Sequence, residues 1–133
     1  MTFAIHENIS LAPYTIFKIG GRARFFVEVR NPDELIEALN FSRVACAPFF
    51  ILGAGSNVLI NNKGFDGLVI RIIGGKLQVN GQRLIVNAGT MMAGAVNAAS
   101  KAGLSGFEWG IGIPGTIVAD TGLTASAGVA PNK

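Results

Sequence analysis

Four large apolar residues, Phe49-Phe50-Ile51-Leu52, run directly into Gly53-Ala54-Gly55-Ser56-Asn57. A short uncharged run of this kind predicts a strand buried on both faces, as in a parallel sheet covered by helices. Two glycines straight after it let the chain turn sharply and bring its backbone close to a ligand. Consecutive N–H groups in such a turn make a concave site for an anion. Ser56 and Asn57 add short hydrogen-bonding side chains, so a pyrophosphate suits the turn. An ordinary tight turn between strands explains the same residues equally well. The segment is not a Walker A loop, because no Gly-Lys-Ser/Thr follows, and Val58 stands where a Rossmann fingerprint needs its third glycine.

The flanking chain predicts more of the same architecture. Arg24 to Val29 is a strand of β-formers. Asn31-Pro32-Asp33-Glu34 is a helix start: a cap, a proline suited to the first position, and two acids at the positive end of the dipole. Leu35, Ile36, Leu39 and Val44 form the expected apolar face, and the helix ends before Pro48. Val58 to Ile60 resumes an apolar run, and Leu68 to Ile73 is a further strand. Leu77-Gln78-Val79 and Leu84-Ile85-Val86 flank Asn80-Gly81, which predicts a hairpin with a type I′ turn. Gly89-Thr90 opens a second helix, Met91 to Ala102, stopped by Gly103. Periodicity fades from Leu104 onward. The first half reads as a small α/β unit and the second as α+β, with a boundary near Ile73 to Lys76.

Composition narrows the function. Of 133 residues, 50% are hydrophobic and 14% charged. The usual charged share is about 25%, so a disordered tail is excluded. The 18 glycines show no G-X-Y period, which excludes collagen. A lone cysteine, Cys46, excludes an internal disulfide framework, and with a single histidine, His6, no Cys/His metal site is expected. The net charge of +3 is spread over scattered Lys and Arg, so nucleic acid is not an expected partner. Met1 to Ser10 lacks the pattern of a leader peptide, and the uncharged stretch Val44 to Asn62 is broken by Pro48, Gly53 and Gly55. A soluble, cytoplasmic protein without a membrane partner is expected.

A second glycine-rich stretch, Gly110-Ile111-Gly112-Ile113-Pro114-Gly115-Thr116, has a backbone path that can lie along a planar ligand, or is a Gly-Pro turn without function. Glu108, among Gly106, Phe107 and Trp109, reads as a partly buried acid or as a hydrogen-bonded structural carboxylate. His6 is expected at the surface, Cys46 buried and inert, and Met91 and Met92 in the core.

Taken in order, these segments carry a resemblance. Asn8 to Thr15, Phe17-Lys18-Ile19-Gly20-Gly21-Arg22-Ala23, Pro32 to Leu35, Leu52 to Leu59, Gly64 to Ile70, Ala88-Gly89, Ala102 to Glu108 and Gly112 to Thr116 are similar to UDP-N-acetylenolpyruvoylglucosamine reductases, also called UDP-N-acetylmuramate dehydrogenases. The resemblance implies an α+β, FAD-binding domain of the vanillyl-alcohol-oxidase (PCMH) type, with two α/β subdomains and the flavin between them. It implies an N-terminal segment 1–23, a first subdomain 24–75 and a second, C-terminally incomplete subdomain 76–133. The substrate-binding domain, with its catalytic serine and glutamate, is expected to be absent, so no catalytic residue is assigned. Gly53, Ala54, Gly55, Ser56 and Asn57 would hold the pyrophosphate, Val58 and Gly89 would also bind the cofactor, and Gly112, Ile113, Pro114, Gly115 and Thr116 would lie along the flavin and help place its isoalloxazine ring.

The resemblance implies a reductase that takes hydride from NADPH through FAD and delivers it to a UDP-sugar enolpyruvyl ether. It also implies peptidoglycan biosynthesis, and with it cell wall, cell shape, cell cycle and cell division. Ile117 to Gly128 departs from the family pattern: Val118 replaces a glycine, and Thr124 stands where asparagine is expected. The competing expectations are a truncated or decayed remnant serving as a nucleotide- or partner-binding module, and another flavoprotein of the same fold with a different substrate and its second half on a separate chain.

Overall fold

In the computed structural model, the structure describes residues 4–56, 58–74 and 76–110. The chain divides into two compact units, Met1–Ile73 and Gly74–Lys133.

The first unit is built around a four-stranded sheet. Its strands are β1 (His6–Ser10), β2 (Arg22–Val29), β3 (Phe49–Leu52) and β4 (Phe65–Ile72), in the order β1-β2-β4-β3. β1 runs antiparallel to β2, while β2, β4 and β3 run parallel. Nothing in His6-Glu7-Asn8-Ile9-Ser10 has strand periodicity. β1 forms by pairing with β2, and the Arg22 guanidinium ties its backbone by donating to the Asn8 carbonyl at 2.7 Å.

Helix α1 (Pro32–Val44) starts as its sequence predicts. Asn31 Oδ1 accepts from the Glu34 N–H at 2.9 Å, and Glu34 Oε2 reaches back to the Arg30 N–H at 2.7 Å. The first bond satisfies a donor that the first turn leaves open, and the second ties down the residue before the cap. The buried face is only partly the predicted one: Leu35 and Leu39 lie on it, Ile36 and Val44 do not. Glu34, Ala38 and Ser42 are buried, whereas Ile36 and Val44 are 55% and 85% exposed. Ala38 packs with Val27, Val29, Leu68 and Ile70, while Leu35 and Leu39 close the margins of that cluster. Ala38 is the α1 residue fully buried in that cluster, while the Ser42 hydroxyl donates to the Ala47 carbonyl at 2.6 Å.

The other face of the sheet is covered by the chain itself. Leu11, Ala23, Phe26, Leu52 and Val69 form a second core, with Tyr14, Val58, Ile60 and Phe65 against it. A single 3-10 turn, Ala12–Tyr14, places the Tyr14 ring on Phe26, stacked at 4.7 Å.

The strand buried on both faces is therefore β4, not β3. Gly67 to Ile70 are all buried at the sheet's interior, while Phe49, Phe50 and Ile51 are 40–51% exposed. β3 lies at the sheet edge beside β4 alone, and α1 packs on the central strands β2 and β4. The apolar run Val58 to Ile60 forms no strand, and Leu59 points to solvent.

In the second unit, β5 (Leu77–Asn80) and β6 (Arg83–Val86) form the predicted hairpin, but Asn80 pairs with Arg83. The two-residue loop is thus Gly81-Gln82, with positive φ at Gly81 only. That is the requirement of a type II′ turn rather than type I′. Helix α2 (Met92–Lys101) packs Ala95, Val96 and Ala99 on Leu84, Val86 and Phe107. Met92 joins this core as expected, but Met91 precedes the helix and is 68% exposed.

Candidate cofactor-binding site

β3 delivers Gly53 at the end of a parallel strand, after the buried Leu52. Gly55 has φ +71°, and a Cβ there would come within 2.0 Å of the Tyr14 carbonyl oxygen. The Gly55 carbonyl in turn accepts from the Ile16 N–H at 3.0 Å. Residues 14–16 therefore clamp the turn from outside β3, and only glycine fits between them. Among the described residues, the N–H groups of Gly53, Ala54, Gly55 and Ser56 donate to no backbone carbonyl. Val58 returns to the core beside Leu52, and Asn57 lies outside the described residues.

The same sheet face carries a charge pair that the sequence reading passed over. Arg71 of β4 is the register partner of Leu52. Its Nη1 donates to Glu28 Oε2 at 2.5 Å, and its guanidinium stands 5.0 Å from the centre of the Tyr14 ring. Arg71 Nε is buried with no acceptor. A cation within the apolar stretch Leu68 to Ile73 was the available signal, because a charged residue inside a strand needs a partner or a ligand.

In the second unit, Gly89 sits in a turn organised by Asn87. Asn87 Oδ1 accepts from the Gly89 N–H at 2.8 Å, and the Asn87 carbonyl accepts from Thr90 N–H at 2.9 Å. The Thr90 hydroxyl beside it is buried without a partner. Gly112, Ile113, Pro114, Gly115 and Thr116 lie outside the described residues.

The remaining candidates resolve as structural groups. Glu108 is exposed and accepts from the Gly106 N–H at 2.8 Å, which is the structural-carboxylate alternative. Cys46 is exposed, not buried, because it is the left-handed residue (φ +50°) that ends α1 and points to solvent. Among the described residues, no helix is long and apolar enough to cross a membrane.

A turn after a parallel strand whose N–H groups, among the described residues, meet no backbone carbonyl suits an anion such as a dinucleotide pyrophosphate, and Arg71 stands one strand away in register with Leu52. Residues 23–132 match the model of the FAD binding domain family, and the chain belongs to that family, with FAD as its cofactor.

Its relatives are more particular. The chain is 42% identical over 125 residues to the UDP-N-acetylenolpyruvoylglucosamine reductase of Synechococcus sp. (strain JA-3-3Ab), covering 92% of this chain and 40% of that protein. It is 34% identical over 116 residues to the same reductase of Chlamydia muridarum, covering 86% and 39%. The crystal structure of UDP-N-acetylenolpyruvylglucosamine reductase from Thermus caldophilus superimposes with a TM-score of 0.66 at 36% identity, over 84% of this chain and 39% of that one. The chain thus spans about two-fifths of the length of these proteins.

Proposed function

We propose that this chain is the FAD-holding part of a reductase that converts UDP-N-acetylglucosamine enolpyruvate to UDP-N-acetylmuramate for peptidoglycan, with NADPH as electron source. The reading is supported by the relatives' shared name and by the turn that carries Gly55. When bound, FAD supplies the two-electron relay that lets hydride from one ligand reach another.

The chain's own residues bind and orient the cofactor. Gly53 to Ser56 present backbone N–H groups to the pyrophosphate. Tyr14 to Ile16 hold that turn rigid through the Gly55 contacts, so little ordering remains to be done on binding. Gly89 and Gly112 to Thr116 are assigned to the cofactor as well in this reading. Val58 anchors the turn to the core. The UDP-sugar and its protonation are assigned to groups outside the matched two-fifths, so the chain by itself is not expected to complete the reaction.

The test is a titration of the purified chain with FAD, read by flavin absorbance and fluorescence. Saturable binding with a perturbed spectrum is expected. A spectrum identical to free FAD at all ratios would sink the assignment.

A further inference from the structure

Arg71 stands at the end of the apolar run Leu68-Val69-Ile70 and is paired in register with Leu52, the residue before Gly53. Strand alternation puts its side chain on the face of Val69, with Leu52 and Phe26, away from α1. Two contacts fix the guanidinium there: Glu28 Oε2 at 2.5 Å and the Tyr14 ring at 5.0 Å. Tyr14 is also the residue whose carbonyl oxygen lies against Gly55, so the guanidinium and the turn share one supporting residue.

The pairing is incomplete for a structural salt bridge. A side-on Arg–carboxylate pair uses two parallel N–H groups. Glu28 takes only one bond, from Nη1, and the buried Nε has no acceptor. The Arg71 side chain remains 31% exposed, so part of its donor set is still open to solvent. Leaving guanidinium donors unpaired at a sheet end is unfavourable unless a further acceptor meets them.

We propose that Arg71 is the cation that neutralises the FAD pyrophosphate at the Gly53–Ser56 turn, with Glu28 and Tyr14 as its positioning residues. The proposal rests on the assignment of FAD to that turn. Backbone N–H groups supply direction but no net charge, while a guanidinium supplies both charge and a planar fork matched to phosphate oxygens. Glu28 orients this cation and also offsets part of its field.

FAD titrations of the full chain at several salt concentrations test this, with thermal unfolding of the FAD-free chain as a control. Arg71→Met is expected to weaken FAD binding about tenfold, the effect of one charge-assisted contact, and to flatten the salt dependence. Arg71→Lys recovers part of the loss, because charge returns without the fork. Glu28→Gln keeps an acceptor but removes the opposing charge, and is expected to tighten FAD binding at low salt. A purely structural Arg71 predicts the reverse for Glu28→Gln: weaker binding in step with a lower unfolding temperature.

That reverse result, or unchanged affinity in Arg71→Met with intact wild-type binding, overturns the proposal alone. Failure of the wild-type chain to bind FAD overturns the cofactor assignment and this proposal with it. Should Arg71→Met fail to fold, the Lys and Glu28 variants still decide.

Discussion

At the scale of single residues, the glycines of the candidate site are not equivalent. A Cβ on Gly55 would meet the Tyr14 carbonyl oxygen at 2.0 Å and the Thr15 Cα at 2.9 Å, both backbone, with φ at +71°. Gly81 has a similar φ, +61°, but open space around it. Left-handed backbone costs an L residue about 1–2 kcal/mol, so Gly81→Ala is expected to lose about that much stability and no FAD affinity. Gly55→Ala carries the same strain plus a backbone collision, and it displaces the clamp. It should cost more than Gly81→Ala in urea unfolding and abolish saturable FAD binding. Equal losses in the two variants would contradict the clamp. That a glycine-rich turn stood here was legible in the sequence. That its partner is Tyr14, about forty positions earlier, was not, because the contact is made by a carbonyl and leaves no residue-type signal.

At the scale of elements, the two helices end by the same motif with different residues. In α2, Leu104 N–H bonds the Ala99 carbonyl at 2.9 Å and Gly103 N–H the Ser100 carbonyl at 3.0 Å, with Gly103 at φ +73°. In α1, Ala47 N–H bonds Ser42 at 3.0 Å and Cys46 N–H bonds Arg43 at 3.2 Å, with Cys46 at φ +50°. Both are Schellman terminations, where glycine is favoured. Cys46→Gly is therefore expected to stabilise the chain by about 1 kcal/mol, read as a shifted urea midpoint with unchanged slope. A destabilised variant would show that the Cys46 side chain contributes contacts that its exposure denies. Helix starts and stops were readable from Asn31, Pro32 and Gly103 because capping is local chemistry. The buried face of α1 was only partly so: hydrophobicity pointed to Leu35 and Leu39, which pack on the sheet, and to Ile36 and Val44, which do not, while the centre of the contact is Ala38.

At the scale of the whole chain, low charge goes with a sheet whose central strands are covered on both faces, one by α1 and the other by Leu11, Tyr14, Val58 and Ile60. A ligand that binds only the folded form adds stability in proportion to the logarithm of its saturation. FAD at a hundred times its dissociation constant should add about 2.7 kcal/mol and raise the unfolding temperature by several degrees. The measurement is a melting curve with and without FAD; an unchanged midpoint at saturating FAD would contradict binding to the folded chain.

The sequence by itself determined the α+β class, the start of α1, the end of α2 and the glycine turn after β3. It also carried the resemblance that the family match bears out. Each of these depends on neighbours within about five residues or on a motif order that survives without coordinates. Tertiary structure decided which strand is central, which face of α1 is buried, that His6–Ser10 is a strand, and that Arg71 stands beside the turn. Those depend on which segments meet across the sheet. An apolar tetrapeptide reads the same at an edge as in the middle, and only the pairing of β4 between β2 and β3 separates the two.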